Sequence, residues 1–230
     1  MSKRNKLQKF AEMSEFPNVY ENFDPATNIL LHQGAQEMLM AGQWAKQHFG
    51  NTRPIVLELA CGRGEYTLGL AQMYPNKNFI GVDIKGARIW KGASTAIAAH
   101  IHHVAFLRTR IELITNFFTN NEIAEIWITF PDPFLRNSKA NRRLTSPFFL
   151  NYYKQLLAPG GVIHLKTDSP ELYAFTLETL ESYPGANIEV QNDDIYAGIL
   201  PLPELDIKTY YEKMHLSAGK TIKYIRFTLL

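Results

Sequence analysis

The chain holds one cysteine in 230 residues, so an intramolecular disulfide is excluded. That usage fits a reducing compartment, and the cytoplasm is the expected location. No apolar run approaches about 18 residues, so no membrane-spanning helix and no membrane partner are expected. The opening Met1-Ser2-Lys3-Arg4-Asn5-Lys6 lacks the apolar core of a secretory signal. His100, His102 and His103 cluster, but at no standard zinc spacing, and no metal is expected. The chain has no G-x-x-x-x-G-K-[ST] loop for nucleoside triphosphates, no internal repeat and no low-complexity segment. What it has in quantity is apolar residues, at 46%, enough for the core of one α/β domain.

Acid is also missing locally. Residues 1–11, 133–167 and 213–230 contain no Asp or Glu, yet they carry 14 of the 24 Lys and Arg residues. The rest of the chain sets 10 cations against 22 acids. One cationic surface on an acidic body suits a phosphate-backbone partner.

Apolar runs and helical patterns alternate from Ile55 onward. The spacing predicts strands at 55–60, 78–83, 103–107, 123–130 and 161–166. It predicts helices at 65–74, 86–99, 112–118, 147–157 and 170–182. Two tail segments, 187–191 and 222–230, read as an antiparallel pair closing a sheet edge. Residues 1–50 read as a basic arm and helical extension, with a helix at 33–48, and 51–230 as the main domain.

The first strand runs into Leu57-Glu58-Leu59-Ala60-Cys61-Gly62-Arg63-Gly64, and the second ends in Asp83. Strand, acidic glycine turn, helix, strand, acid is how a doubly wound sheet holds an adenosine-bearing cofactor. Gly62 and Gly64 allow the backbone to approach a ligand. Glu58 would face a cationic amino group or orient the turn, and Asp83 would accept from ribose hydroxyls. Thr67 stands where a dinucleotide fingerprint needs its third glycine, so the pattern points to S-adenosylmethionine rather than NAD or ATP.

The fourth strand enters Pro131-Asp132-Pro133-Phe134, where two prolines stiffen the chain around an acid. Arg136, Lys139, Arg142 and Arg143 follow without an intervening acid and read as phosphate contacts. Phe134 could stack on a base or pack in the core. Lys166 reads either as an RNA contact or as a snorkelling lysine.

These segments resemble the tRNA (guanine-N7-)-methyltransferases, the TrmB family. The resemblance rests on L-E-x-x-C-G-x-G-E at 57–65, F-I-G-V-D-I at 79–84, F-P-D-P-F at 130–134 and R-R-L-T-S-P-x-F-L at 142–150. L-A-P-G-G at 157–161, K-T-D at 166–168 and T-Y-Y-E at 209–212 extend it, over roughly residues 50–230. The pairing of the Pro-Asp-Pro block with the Arg-Arg block is its most specific part.

The resemblance implies a class I, Rossmann-like fold dependent on S-adenosylmethionine, with a mostly parallel seven-stranded sheet and an antiparallel C-terminal strand. It implies methyl transfer to N7 of a guanine in the tRNA variable loop, by a monomer or homodimer. Glu58 and Asp83 would bind the cofactor, and Asp132 would bind it and be catalytic. Asp168, Thr209, Tyr210, Tyr211 and Glu212 would contact the RNA. Five positions depart from the family pattern. Ala60 replaces Gly. Arg110-Ile111 replaces an Asp-Ala pair at the adenine end, with Glu112 as the possible substitute. Arg136 replaces Lys, and so does Tyr210. The alternatives are a class I methyltransferase for another nucleobase or a small molecule, and an RNA-binding homologue without catalysis.

Overall fold

The structure is a computed structural model that describes residues 4–230, so Lys3 of the basic arm lies outside the described residues. Two compact units divide between Thr119 and Asn120.

The first unit contains α1 (Lys6–Met13), β1 (Val19–Glu21), β2 (Leu30–His32), β3 (Gln36–Met38), β4 (Ile55–Leu59), α2 (Glu65–Met73), β5 (Asn78–Asp83), α3 (Gly86–Ala98) and β6 (Val104–Arg108). Its strands lie in the order β3-β2-β1-β6-β5-β4. β4, β5, β6 and β1 pair in parallel, and β2 and β3 add antiparallel. Every residue of β4 and β5 is buried, as expected for parallel strands covered on both faces. The sequence at 55–59 and 78–82 is accordingly a continuous apolar run rather than an alternating one, broken only by Glu58, Asn78 and Gly81.

The second unit contains β7 (Ile123–Thr129), α4 (Pro147–Leu156), β8 (Leu157–Thr167), α5 (Pro170–Ser182), β9 (Ala186–Asn192), α6 (Tyr210–Ser217) and β10 (Lys223–Leu229). The order is β7-β8-β10-β9, with β8 parallel to β7 and β10 antiparallel to both β8 and β9. Ser169 caps α5 by accepting from Leu172 N, and Pro170 occupies the first helical position.

The seven strands read from the sequence are β4 to β10, and the N-terminal fifty residues add three more. The helix expected at 33–48 is absent. β3 occupies 36–38, and only Trp44–His48 coils, in a single wide helical turn. Gly34 and Gly42 take φ of +87° and +71°, which interrupts a right-handed helix. β1 pairs with β6 and β2 with β1, so the extension belongs to the sheet of the first unit. No helix among the described residues is long and apolar enough to cross a membrane.

Candidate active site

In the first unit the turn after β4 holds three left-handed residues within five positions: Ala60 at φ +60°, Gly62 at +56° and Gly64 at +67°. Asp83 organises this turn. Its Oδ2 accepts from Gly62 N at 2.9 Å and its Oδ1 from Lys85 N at 2.8 Å. Glu58 is 2% exposed, and its Oε2 accepts from both Thr67 N, at 2.7 Å, and the Thr67 hydroxyl. The carboxylate thus caps the first turn of α2 and orients the loop.

The two glycines do different work. A Cβ on Gly64 would come within 2.5 Å of the Phe106 ring, and Gly81 and Gly92 wall the same ring. A Cβ on Gly62 would meet nothing nearer than Ala60 O at 4.0 Å. Gly64 therefore permits packing, while Gly62 leaves an open backbone edge. Beside it, Thr109 N donates to Asp83 O, and the buried Thr109 Oγ1 has no hydrogen-bond partner among the described residues. An open glycine edge, a carboxylate and an orphaned hydroxyl at adjoining strand ends fit a ribose-bearing cofactor. Thr109 carried no motif that would have singled it out. Glu112 lies 3.7 Å from the Arg110 guanidinium, with both side chains exposed to solvent. Cys61 is buried, and that burial, reinforced by the Glu58 and Asp83 charges, pushes its thiol up and keeps it protonated.

In the second unit the Pro-Asp-Pro connection is bracketed by two strained residues, Phe130 at φ +48° and Phe134 at +41°. Phe130 N donates to Lys166 O at 2.8 Å. Asp132 is exposed, and its Oδ1 accepts from Phe134 N at 3.0 Å, which helps set the turn. Arg143 locks the loop from beneath. It is 6% exposed, donates through Nε to Pro133 O at 3.0 Å and through Nη2 to Phe134 O at 3.1 Å, and lies over the Phe175 ring at 4.3 Å. A phosphate contact needs an open guanidinium, so the geometry makes Arg143 a brace. Arg136, Lys139 and Arg142 are exposed, with Arg142 over the Phe134 ring at 4.7 Å. Phe134 therefore lies at the loop surface and not in the core.

The residues after β8 form a second cluster. Asp168 Oδ2 lies 2.5 Å from Lys220 Nζ and 3.4 Å from His215 Nδ1, and the His215 ring stacks near Phe130 at 6.0 Å. Lys220 and His215 escaped the motif reading; only the acid-free tail hinted at them. Thr209 caps α6 by accepting from Glu212 N, and Tyr210 and Tyr211 meet edge to face at 5.6 Å. Glu212 is fully buried, unlike the RNA contact that the resemblance implies. Its Oε1 accepts from Tyr196 at 2.6 Å, and both its oxygens face Lys166 Nζ. Lys166 is likewise fully buried and also donates to Leu205 O and Ile207 O, so it neither snorkels nor reaches a surface ligand.

The parallel sheet, the acidic glycine turn on β4 and the antiparallel β10 define a class I methyltransferase fold. The sequence model of the family described as "Putative methyltransferase" matches residues 52–225. A tRNA (guanine-N(7)-)-methyltransferase of Bacteroides fragilis is 47% identical over 98% of this chain and 86% of its own length. One from Christiangramia forsetii is 45% identical over the full length of both. The chain belongs to the tRNA (guanine-N7-)-methyltransferase family. Among solved structures, the 16S rRNA methyltransferase KamB superposes with a TM-score of 0.61 at 14% identity, covering 85% of this chain and 97% of that one. The 16S rRNA (adenine(1408)-N(1))-methyltransferase of Catenulisporales acidiphilia gives 0.58 at 15% identity, covering 82% and 93%. At such identity these two bear on the fold alone.

Proposed function

We propose that this protein transfers a methyl group from S-adenosylmethionine to N7 of a guanine in the variable loop of tRNA. Identity of 47% and 45% over nearly the whole chain with relatives named tRNA (guanine-N(7)-)-methyltransferase is the observation that carries the reading. When bound, S-adenosylmethionine supplies an electrophilic methyl group on a sulfonium. The Gly62 edge, the Asp83 carboxylate and the Thr109 hydroxyl would hold it, with Glu58 fixing the turn from below.

Guanine N7 carries a lone pair in the ring plane, so no proton has to leave before the new bond forms. The chain then needs no general base. It needs a group that stabilises positive charge developing on the purine, and the exposed Asp132 suits that role. Its loop is pre-set by two left-handed phenylalanines and the Arg143 brace, so little reorganisation is required at the moment of reaction. Folded RNA hides the N7 edge, so the guanine must be exposed or flipped, and Phe134 offers a ring for it to stack on. Arg136, Lys139 and Arg142 would contact phosphates. Asp168, Thr209, Tyr210 and Tyr211 would shape the RNA contact, with Glu212 holding their helix through Lys166. A single cysteine, and so no intramolecular disulfide, suits a cytoplasmic setting.

Incubation with methyl-labelled cofactor and bulk tRNA, followed by borohydride–aniline cleavage, tests the reading. Strand scission at one variable-loop guanine is the expected result. Label on another base or atom, or no label at all, would overturn it.

A further inference from the structure

A pocket of about 280 Å³ lies against α1, lined by Phe10, Glu21, Phe23, Leu31, His32 and Arg108 among others. Gly62, Asp83 and Thr109 do not line it, but it adjoins the cofactor turn, since Arg108 is the register partner of Asp83. Two strand ends build its polar part: Glu21 closes β1, Arg108 closes β6, and the two are register partners. Arg108 Nη1 donates to Glu21 Oε1 at 2.7 Å, and Nε reaches Ile84 O at 3.4 Å. Arg108 Nη2 and Glu21 Oε2 make no hydrogen bond among the described residues and stay in contact with solvent. The pocket thus keeps an unused donor beside an unused acceptor.

The walls are aromatic. The Arg108 guanidinium lies 4.8 Å from the Phe10 ring centre and 5.2 Å from that of Phe23. Phe23 is 60% exposed, a large ring left on the rim. His32 stacks on Tyr20 at 4.2 Å, and its Nδ1 bonds Val19 O at 3.0 Å. A carbonyl only accepts, so Nδ1 carries the hydrogen and Nε2 of the neutral ring is an acceptor. Lys6 Nζ lies over Phe10 at 5.7 Å, placing a cation at the α1 edge.

We propose that this pocket binds a nucleobase. Its ring would stack on Phe23, and its edge would meet Arg108 Nη2 and Glu21 Oε2. Every base presents a donor beside an acceptor, and stacking on an aromatic ring tolerates any base. The Glu21–Arg108 pair is electrically balanced, so the pocket itself does not hold a phosphate; Lys6 outside it can. That arrangement suits a base on an RNA strand more than a free nucleotide. The inference rests on the RNA-substrate reading for its ligand's source and assigns a contact separate from the methylated guanine.

Amide-resolved NMR titrations test it, with S-adenosylhomocysteine saturating so that the cofactor turn is occupied. The probes are the four ribonucleoside monophosphates and single-stranded RNA tetramers. Shifts centred on Phe23, His32 and Gly34 are expected. Phe23→Ala should weaken binding about fivefold or more, and Phe23→Trp should restore it. Tighter binding of the tetramers assigns the base to an RNA strand, and tighter binding of a monophosphate assigns it to a free nucleotide; either upholds the base pocket. No shift with any probe at millimolar concentration, or an unchanged Kd in Phe23→Ala, overturns it. No methyl group moves in this assay, so its failure is separable from failure of the methyl-transfer reading.

Discussion

Lys166 Nζ and Glu212 Oε1 lie 2.8 Å apart with both side chains wholly shielded from solvent. The lysine is the penultimate residue of β8, whose carbonyl anchors Phe130, and the glutamate sits in the first turn of α6, so one ion pair joins the strand end that anchors the Pro-Asp-Pro loop to the helix that Thr209 caps. Burial, only partly offset by Glu212, brings the Lys166 ammonium down to about 8. Removing one partner strands the other's charge. Lys166→Met should therefore cost about 3–5 kcal/mol in chemical denaturation, and adding Glu212→Leu should recover much of it.

The same pair has a pH signature. In the folded chain Lys166 loses its proton near pH 8, while in the unfolded chain it keeps it to about 10.5. Between those values the unfolded state binds more protons, so stability rises with pH. Relative to Lys166→Met, the wild-type chain should gain on the order of 2 kcal/mol from pH 8 to pH 10. A flat difference curve would mean that burial does not depress this group.

Asp132 is exposed and held by its own turn, so its loss should spare the fold. One charge pair near 4 Å is worth about 4 kcal/mol at an effective dielectric of 20, or up to about a thousandfold in rate. Asp132→Asn should lower single-turnover methylation by about 100- to 1,000-fold while cofactor affinity stays measurable. Turnover near wild type would remove the carboxylate from the mechanism.

Arg142 and Arg143 are neighbours with opposite fates, so their variants should separate. Arg142→Ala should leave stability nearly unchanged and reduce the salt slope of tRNA binding by about 1. Arg143→Ala orphans the Pro133 and Phe134 carbonyls and should cost about 2–4 kcal/mol of stability. Equal stability losses in the two variants would contradict the brace.

Three turn positions share left-handed geometry but not surroundings. Ala60→Gly relieves a strained alanine and should stabilise the chain by about 0.5–1 kcal/mol. Gly62→Ala has room for its methyl and should cost about 1 kcal/mol in backbone strain. Gly64→Ala must also displace Phe106, and should cost several kcal/mol. Thermal unfolding of the three variants orders them.

Much of the fold is legible because parallel strands advertise themselves. β5 matches its expected span, and α5 matches its own because Ser169 and Pro170 mark its start. The extension departs from the helix expected over 33–48 because Gly34 and Gly42 take positive φ; of the apolar residues at helical spacing, Leu39 and Met40 follow β3, and only Trp44 and Ala45 lie in a helical turn. The acids at 58, 83 and 132 were also legible, since their places at strand ends follow from the alternation of elements.

By itself the sequence determined roughly where the strands β4 to β10 run, where the glycines and prolines restrict the backbone, and which blocks of charge lie together. Those are local properties, set by dihedral preference and hydrophobic period. Only the tertiary structure decided where each side chain points. It turned Glu58 onto Thr67, buried Arg143 but not Arg142, closed Lys166 onto Glu212 across 46 positions, and set Arg108 beside Glu21 across 87. Such pairings depend on which strands become neighbours, and a carboxylate or guanidinium carries no mark of its partner until the chain has folded.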